Sequence, residues 1–173
     1  MFVVDANVLV YGARADSPFH RECHDALERW REQQGAWYAT WSIIYEFIRA
    51  VTHRGSTMRP WTVAAAWDFV EALLESPGFS VLVATPRHAA VAAEVFREMP
   101  DLSGRRVHDA HIAILMREHG IRRIYTRDAD FHRFPFLEPI DPLRLGAPGG
   151  TAEAVARYRG AMTRRAKRSR ARP

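Results

Sequence analysis

The chain has 173 residues, of which 47% are hydrophobic, with 25 basic and 20 acidic residues and a net charge of +5. This length predicts one globular domain with a sizeable core. No apolar run reaches the ~18 residues of a membrane span, and none follows the pattern of a secretory signal, so we expect no membrane association. Cys23 is the single cysteine and cannot form an internal disulfide, which predicts a reducing, cytoplasmic location.

Basic residues are concentrated at the C-terminal end. Residues 151–173 carry eight of them against the single acid Glu153, which leaves 17 basic and 19 acidic residues in 1–150. We therefore divide the chain into a domain over 1–145 and a Gly/Pro linker with a basic tail over 146–173, partly disordered without nucleic acid. The tail either contacts phosphates or only keeps the protein in solution. Its candidate phosphate contacts are Arg164, Arg165, Lys167 and Arg168.

Strand-like and helix-like apolar periods alternate along the chain, which predicts an α/β fold with a parallel sheet. Strands are predicted at 2–4, 37–40, 79–84, 121–126 and, as a short fifth, 137–140. Helices are predicted at 8–11, 17–34, 42–51, 60–74, 86–99 and 107–119. Ser17 and Ser42 are the predicted N-caps of the second and third helices, and Gly120 is the predicted residue after the last one.

Acidic residues stand where predicted strands end, or on a helix beside such an end. They are Asp5, Glu46, Asp109 and the pair Asp128 and Asp130. Ligands of an open parallel sheet bind beyond the carboxyl ends of the strands, so we expect these side chains to converge. Crowded carboxylates need a proton or a cation. Because no His or Cys recurs around them with zinc-like spacing, the pattern favours Mg²⁺, or Mn²⁺ as its substitute.

Each acid taken alone has an ordinary explanation. Asp5 would cap the short helix that follows it. Glu46 would pair with Arg49, three residues later on its helix. Asp109 suits the positive end of a helix, and an Asp such as Asp128 is common in the turn after a strand. One metal site accounts for all four together, and we prefer it for that reason.

Other polar residues accompany the acids at the same strand ends. Asn7 lies two residues after the first acid, and Thr126 offers a hydroxyl at the end of the fourth strand. Between Asp128 and Asp130, the first is favoured because it lies nearer the strand.

Some histidine and tryptophan side chains are candidate substrate contacts. His108 and His111 flank the third acid and could touch substrate, although exposed histidines without such a role are the commoner case. One tryptophan could stack on a nucleobase, but core packing is the prediction for all five, which are Trp30, Trp37, Trp41, Trp61 and Trp67.

Four short motifs occur here in the order found in PIN-domain nucleases. They are Val4-Asp5-Ala-Asn7, Trp41-Ser-Ile-Ile-Tyr45-Glu46-Phe47, His108-Asp109-Ala-His111 and Thr126-Arg-Asp128-Ala-Asp130-Phe131. Up to about residue 145 the chain resembles this family, and in particular the VapC-type toxins of bacterial toxin–antitoxin pairs. The resemblance implies a three-layer α/β/α sandwich around a parallel sheet of about five strands.

The resemblance also implies roles for the acidic residues. Asp5, Glu46, Asp109 and Asp128 match the family's four acidic positions, with Asp130 as a helper. The implied activity is Mg²⁺-dependent hydrolysis of RNA phosphodiesters, in which the metal activates water and a second ion would stabilise the leaving 3′ oxygen. Asp5 and Asp109 would bind metal directly, and the other two would hold its waters or the second ion. Thr126 is the associated hydroxyl.

The implied partners are an RNA substrate, such as a structured tRNA, a cognate antitoxin, and a second copy of the chain in a homodimer. Two other functions remain open. A phosphohydrolase could use Asp5 as its nucleophile, but Asn7 replaces the second Asp of that motif and no lysine precedes Lys167. A non-catalytic RNA-binding relative would usually lack at least one acid, and all four are present here.

Overall fold

Five parallel strands form one sheet in the order β3-β2-β1-β4-β5. The computed structural model describes residues 1–55 and 59–144, and Met1–Leu143 make up one compact unit. The predicted linker and basic tail over 146–173 lie outside the described residues. Within the described residues, no helix is both long enough and apolar enough to span a membrane.

Six α-helices of the described chain connect the strands. The strands are β1 (Phe2–Val4), β2 (Trp37–Thr40), β3 (Phe79–Leu82), β4 (Arg123–Tyr125) and β5 (Glu138–Ile140). The helices are α1 (Ala6–Ala13), α2 (His20–Glu32), α3 (Trp41–Thr52), α4 (Val63–Leu74), α5 (His88–Glu98) and α6 (Arg106–Glu118). The predicted α/β class and the five-stranded parallel sheet are confirmed.

The connections explain how the helices are layered. From β1 the chain moves outward through β2 to β3, then returns and adds β4 on the other side of β1. Crossovers between parallel strands are right-handed, so α1 to α4 belong on one face and α5 and α6 on the other. The packing agrees, because α1 contacts α2 and α3, α3 contacts α4, and α5 contacts α6. The strand order therefore reverses between β1 and β4.

Both predicted N-caps were wrong. Thr40, the last residue of β2, caps α3 by accepting the Ile43 N–H at 3.2 Å, because β2 runs into the helix without a loop. Ser42 lies inside that helix and bonds the Thr40 hydroxyl at 2.8 Å. Ser17 forms a turn instead, accepting the Phe19 N–H at 3.2 Å, and α2 begins at His20.

Other predicted boundaries were close. β3 and β4 are shorter than predicted, and α4 and α5 each begin after their predicted proline, α4 with Thr62 as its cap. Gly120 follows α6 with a φ of 67°, a conformation that favours glycine, as predicted.

The core lies between the central strands and the helices of both faces. Val3 and Val4 of β1 are fully buried, as is Ile124 of β4, so the two strands flanking the reversal are immobilised on both sides. Residues directly after these strands are therefore held by the best-packed part of the molecule.

Candidate active site

Asp5 is buried at the C-terminal end of β1, with only 5% of its surface exposed. Its Oδ1 accepts the Ala6 N–H at 2.7 Å, so it does cap α1. Its Oδ2 accepts the Thr126 hydroxyl at 2.6 Å and a short hydrogen bond from Asn7 Nδ2. Three donors thus orient the carboxylate, which has about four acceptor positions and keeps capacity for one more ligand.

The chain after β4 folds around Thr126. Its Oγ1 also accepts the Asp128 N–H at 2.9 Å, and Asn7 Oδ1 accepts the Arg127 N–H at 3.1 Å. Asp128 in turn caps a short 3₁₀ helix by accepting the Asp130 N–H at 2.9 Å. The ends of β1 and β4 are therefore joined by one hydrogen-bond network.

Glu46 and Asp109 approach from the two helical layers. Asp109 is half-buried in the first turn of α6, where the helix dipole favours a carboxylate. Glu46 is exposed on α3, with its Oε1 3.6 Å from an Arg49 nitrogen. That exposed pair contributes only a few tenths of a kcal/mol. The predicted local partner of Glu46, Arg49, is therefore present.

The acids influence one another electrostatically. The pKa of Asp5 is raised to about 7, mainly by burial; its hydrogen bonds from Thr126 and Ala6 oppose the rise, and the charges of Glu46 and Asp128 add to it. Burial also raises the pKa of Asp109 to about 6, with further contributions from Asp128, Asp130 and Glu46. The structure thus brings the predicted acids within electrostatic reach of one another, where the strand order reverses.

This donor set suits a hard divalent cation. The oxygen atoms available at the site belong to carboxylates and to one hydroxyl, the kind of donor that such cations prefer. The raised carboxylate pKa values indicate that negative charge is unfavourable there without a compensating cation or proton. Within residues 1–55 and 59–144, no three acidic, His or Cys side chains stand close enough to form a complete metal-binding group. Mg²⁺ commonly needs only one or two protein carboxylates, with water and substrate phosphate completing its shell.

The two predicted histidines lie in different surroundings. The charge of His108 lowers the pKa of the adjacent Asp109. The His111 ring lies 5.8 Å from that of His88, and burial lowers its pKa, with the charges of His88 and His108 acting in the same direction. The predicted tail contacts, Arg164, Arg165, Lys167 and Arg168, lie outside the described residues.

Core packing was the wrong prediction for two tryptophans. Trp30 and Trp37 are buried, but Trp41 is 39% and Trp67 37% exposed. Trp41 stands at the start of α3 beside Tyr45, which is 63% exposed. The exposure of positions 41 and 45 could have been predicted from the helical period. On α3 the core face is formed by Ile43, Ile44, Phe47 and Val51, which leaves positions 41 and 45 on another side of the helix.

The chain matches a known protein family over most of its length. The sequence model of the PIN domain matches residues 2–137. The chain belongs to the PIN-domain family. Ribonuclease VapC48 of Mycobacterium tuberculosis is 31% identical over 141 residues, covering 80% of this chain and 94% of that protein.

Solved PIN-domain structures agree with the architecture. The crystal structure of VapC20 from Mycobacterium tuberculosis, a sarcin-ricin loop cleaving toxin, matches with a TM-score of 0.56 at 19% identity, covering 80% of this chain and 98% of that chain. A toxin–antitoxin complex from Klebsiella pneumoniae matches with a TM-score of 0.51 at 19% identity, covering 82% and 98%. At this identity the likeness shows the fold.

Proposed function

We propose that this PIN-domain chain is a Mg²⁺-dependent endoribonuclease and the toxin of a toxin–antitoxin pair. The observation that carries the proposal is the electrostatic convergence of acids from β1, α3, α6 and the segment after β4, with raised pKa values at Asp5 and Asp109. The ribonuclease relatives support RNA as the substrate.

Asp5 and Asp109 would hold the metal directly, with Glu46 and Asp128 on its waters or on a second ion. When bound, the cation would supply an activated water and neutralise charge on the phosphate. Thr126 would position Asp5 by donating to its Oδ2, which also keeps the carboxylate more acidic than burial alone would allow. Asn7 would donate to the same oxygen, and it also donates to Thr126 Oγ1 at 3.1 Å.

The two alternatives receive less support. Nucleophilic attack by Asp5 would use the second Asp of the phosphohydrolase motif, but Asn7 stands at its position and donates a hydrogen bond to Asp5 Oδ2. A non-catalytic RNA-binding role leaves unexplained why carboxylates with raised pKa values are kept together.

Incubation of the full-length protein with a structured RNA such as tRNA, with Mg²⁺ or with EDTA, tests the activity. We expect defined cleavage products with Mg²⁺, loss with EDTA, and recovery with Mn²⁺. Binding of RNA without cleavage under all metal conditions would favour the non-catalytic alternative.

We also propose an antitoxin that carries a basic side chain into the acidic cluster, where it would compete with the metal for the same charge. Its apolar part would cover the exposed residues Val63, Trp67 and Leu74 of α4. Expression without the partner should inhibit growth, and co-expression should relieve the inhibition. Harmless expression of an active protein would contradict the toxin role. The mass measured by analytical sedimentation would test the expected homodimer. Fractionation of cells would test the expected cytoplasmic location.

A further inference from the structure

Trp41 and Tyr45 form an exposed aromatic pair on α3. Their ring centroids lie 6.0 Å apart with an interplanar angle of 31°, as expected for residues one turn apart on a helix. Two adjacent exposed rings form a small apolar patch, which makes them a candidate contact surface.

The pair lies on the same helix as Glu46, one of the acids that act on Asp5 and Asp109. Trp41 directly follows β2, which is the neighbour of β1 in the sheet. Glu46 comes one residue after Tyr45, and its charge reaches both Asp5 and Asp109. A polymer whose phosphate lies at the acids would therefore have its neighbouring units close to these rings.

The size and charge of the patch favour a nucleobase over a protein partner. The exposed fractions of 39% and 63% correspond to roughly 200 Å² of aromatic surface. Each partner in a stable protein interface contributes ~800 Å². Arg49 lies one turn beyond Tyr45 with an exposed side chain, which adds a cation for a phosphate next to the rings. Aromatic faces with nearby cations are how proteins hold unpaired nucleotides.

We propose that Trp41 and Tyr45 form a stacking platform for one unpaired nucleobase of the RNA, beside the phosphodiester that is to be cleaved. This inference rests on the proposed ribonuclease function and adds a selection rule to it. Base faces inside a duplex are covered by their neighbours, so the platform admits loops, bulges and ends and disfavours fully paired RNA.

Binding can be measured separately from cleavage in a full-length Asp109→Asn background, in which we expect hydrolysis to stop. The probes are short single-stranded oligoribonucleotides in which 2-aminopurine is moved through successive positions, and the same sequences annealed to their complements. The fluorescence of 2-aminopurine falls when it stacks. The variants are Trp41→Leu and Tyr45→Leu, which keep apolar volume but remove the ring face, and Trp41→Phe, which keeps a ring.

Phe96→Leu is the matched control, because Phe96 is similarly exposed, at 44%, but lies on α5. We expect Trp41→Leu to weaken single-strand binding about 10-fold and to abolish quenching at one probe position. Trp41→Phe should retain most of the quenching. Duplex binding should not change in any variant, and Phe96→Leu should bind and quench the single-stranded probes like the parent protein.

Unchanged quenching and affinity in both Trp41→Leu and Tyr45→Leu would overturn the platform, even if the wild-type protein cleaves RNA. Position-specific quenching that depends on Trp41, in a protein that never cleaves, would uphold the platform and overturn the nuclease. If the two Leu variants change the sedimentation mass while binding RNA normally, the pair contacts a second copy of the chain and the inference is wrong.

Discussion

The buried centre around Asp5 and the exposed face of α3 differ in how they are built. Asp5 is held by three hydrogen bonds between two central strands, so its orientation is set before any ligand arrives. On α3, Trp41, Tyr45 and Arg49 stand in solvent on one helix. The proposed metal site thus lies where the packing of the sheet fixes the side chains, whereas the proposed base platform lies on an exposed helix surface that can adapt to its ligand.

The largest effect should come from removing a carboxylate of the centre. Asp109→Asn should lower cleavage by about 100-fold or more, since even residues behind the metal ligands commonly cost 10–100-fold. Thermal unfolding of the variant should occur at the same or higher temperature, because repulsion among the acids falls. Asp109 is the cleaner target, since Asp5 also caps α1. Near-normal cleavage by a folded Asp109→Asn protein would show that the site is misassigned.

A smaller loss should follow when the support of Asp5 is removed. Thr126→Val keeps the shape of the side chain but deletes the donor to Asp5 Oδ2 and the acceptor for the Asp128 N–H. We expect cleavage to fall about 10–100-fold, and the pH at which activity rises to shift upward, because that hydrogen bond lowers the pKa of Asp5.

Thr126→Ser restores the hydroxyl and is the control for Thr126→Val. Its activity and pH profile should lie near those of the wild type. Equal losses in both variants would point to packing of the methyl group instead of the hydrogen bond.

Ionisation of Asp5 and Asp109 should also change the free energy of unfolding. The pKa of Asp5 is raised from 3.8 to about 7 and that of Asp109 from 3.8 to about 6. Without metal, the folded protein therefore keeps protons on these two groups that the unfolded chain releases. Their contribution to the free energy of unfolding should fall as the pH rises from 3.8 to about 7. Urea unfolding in EDTA across this range measures the slope. Added Mg²⁺ should offset the loss, and Asp109→Asn should reduce the slope. A slope that is the same in the wild type and in Asp109→Asn would contradict the raised pKa of Asp109.

The positions of Asp5 and Asp128 at strand ends could be predicted from the sequence, because a short apolar run ends just before each of them. Val3 and Val4 are apolar and β-branched, which favours a buried strand, so Asp5 was expected at the end of that strand. The caps could not be read in this way. Thr40 and Ser42 are both good N-caps, and only the direct passage from β2 into α3 decides between them.

The hydrogen-bond network around Asp5 could not be predicted from the sequence either. Thr126 lies 121 residues away, and only the pairing of β1 with β4 brings the two together. By contrast, the exposure of Trp41 was predictable from the helical period, and was missed because tryptophan is usually assigned to the core.

The smallest effect concerns the proposed basic tail. Deleting residues 151–173 removes eight basic residues, so RNA binding at low salt should weaken and the dependence of log K on log[salt] should flatten, by about 0.7 for each lost phosphate contact. The cleavage position should stay the same. Identical salt slopes for the full-length and truncated proteins would mean that the tail only maintains solubility.

Soaking crystals of the full-length protein with Mn²⁺ tests most directly whether the acids form one cation site. Anomalous scattering locates the ion without reference to activity. We expect a peak bonded to the carboxylates of both Asp5 and Asp109, with Glu46 and Asp128 facing its waters. Saturating Mn²⁺ that binds elsewhere in the crystal and leaves Asp5 and Asp109 without a peak would contradict the proposed metal site.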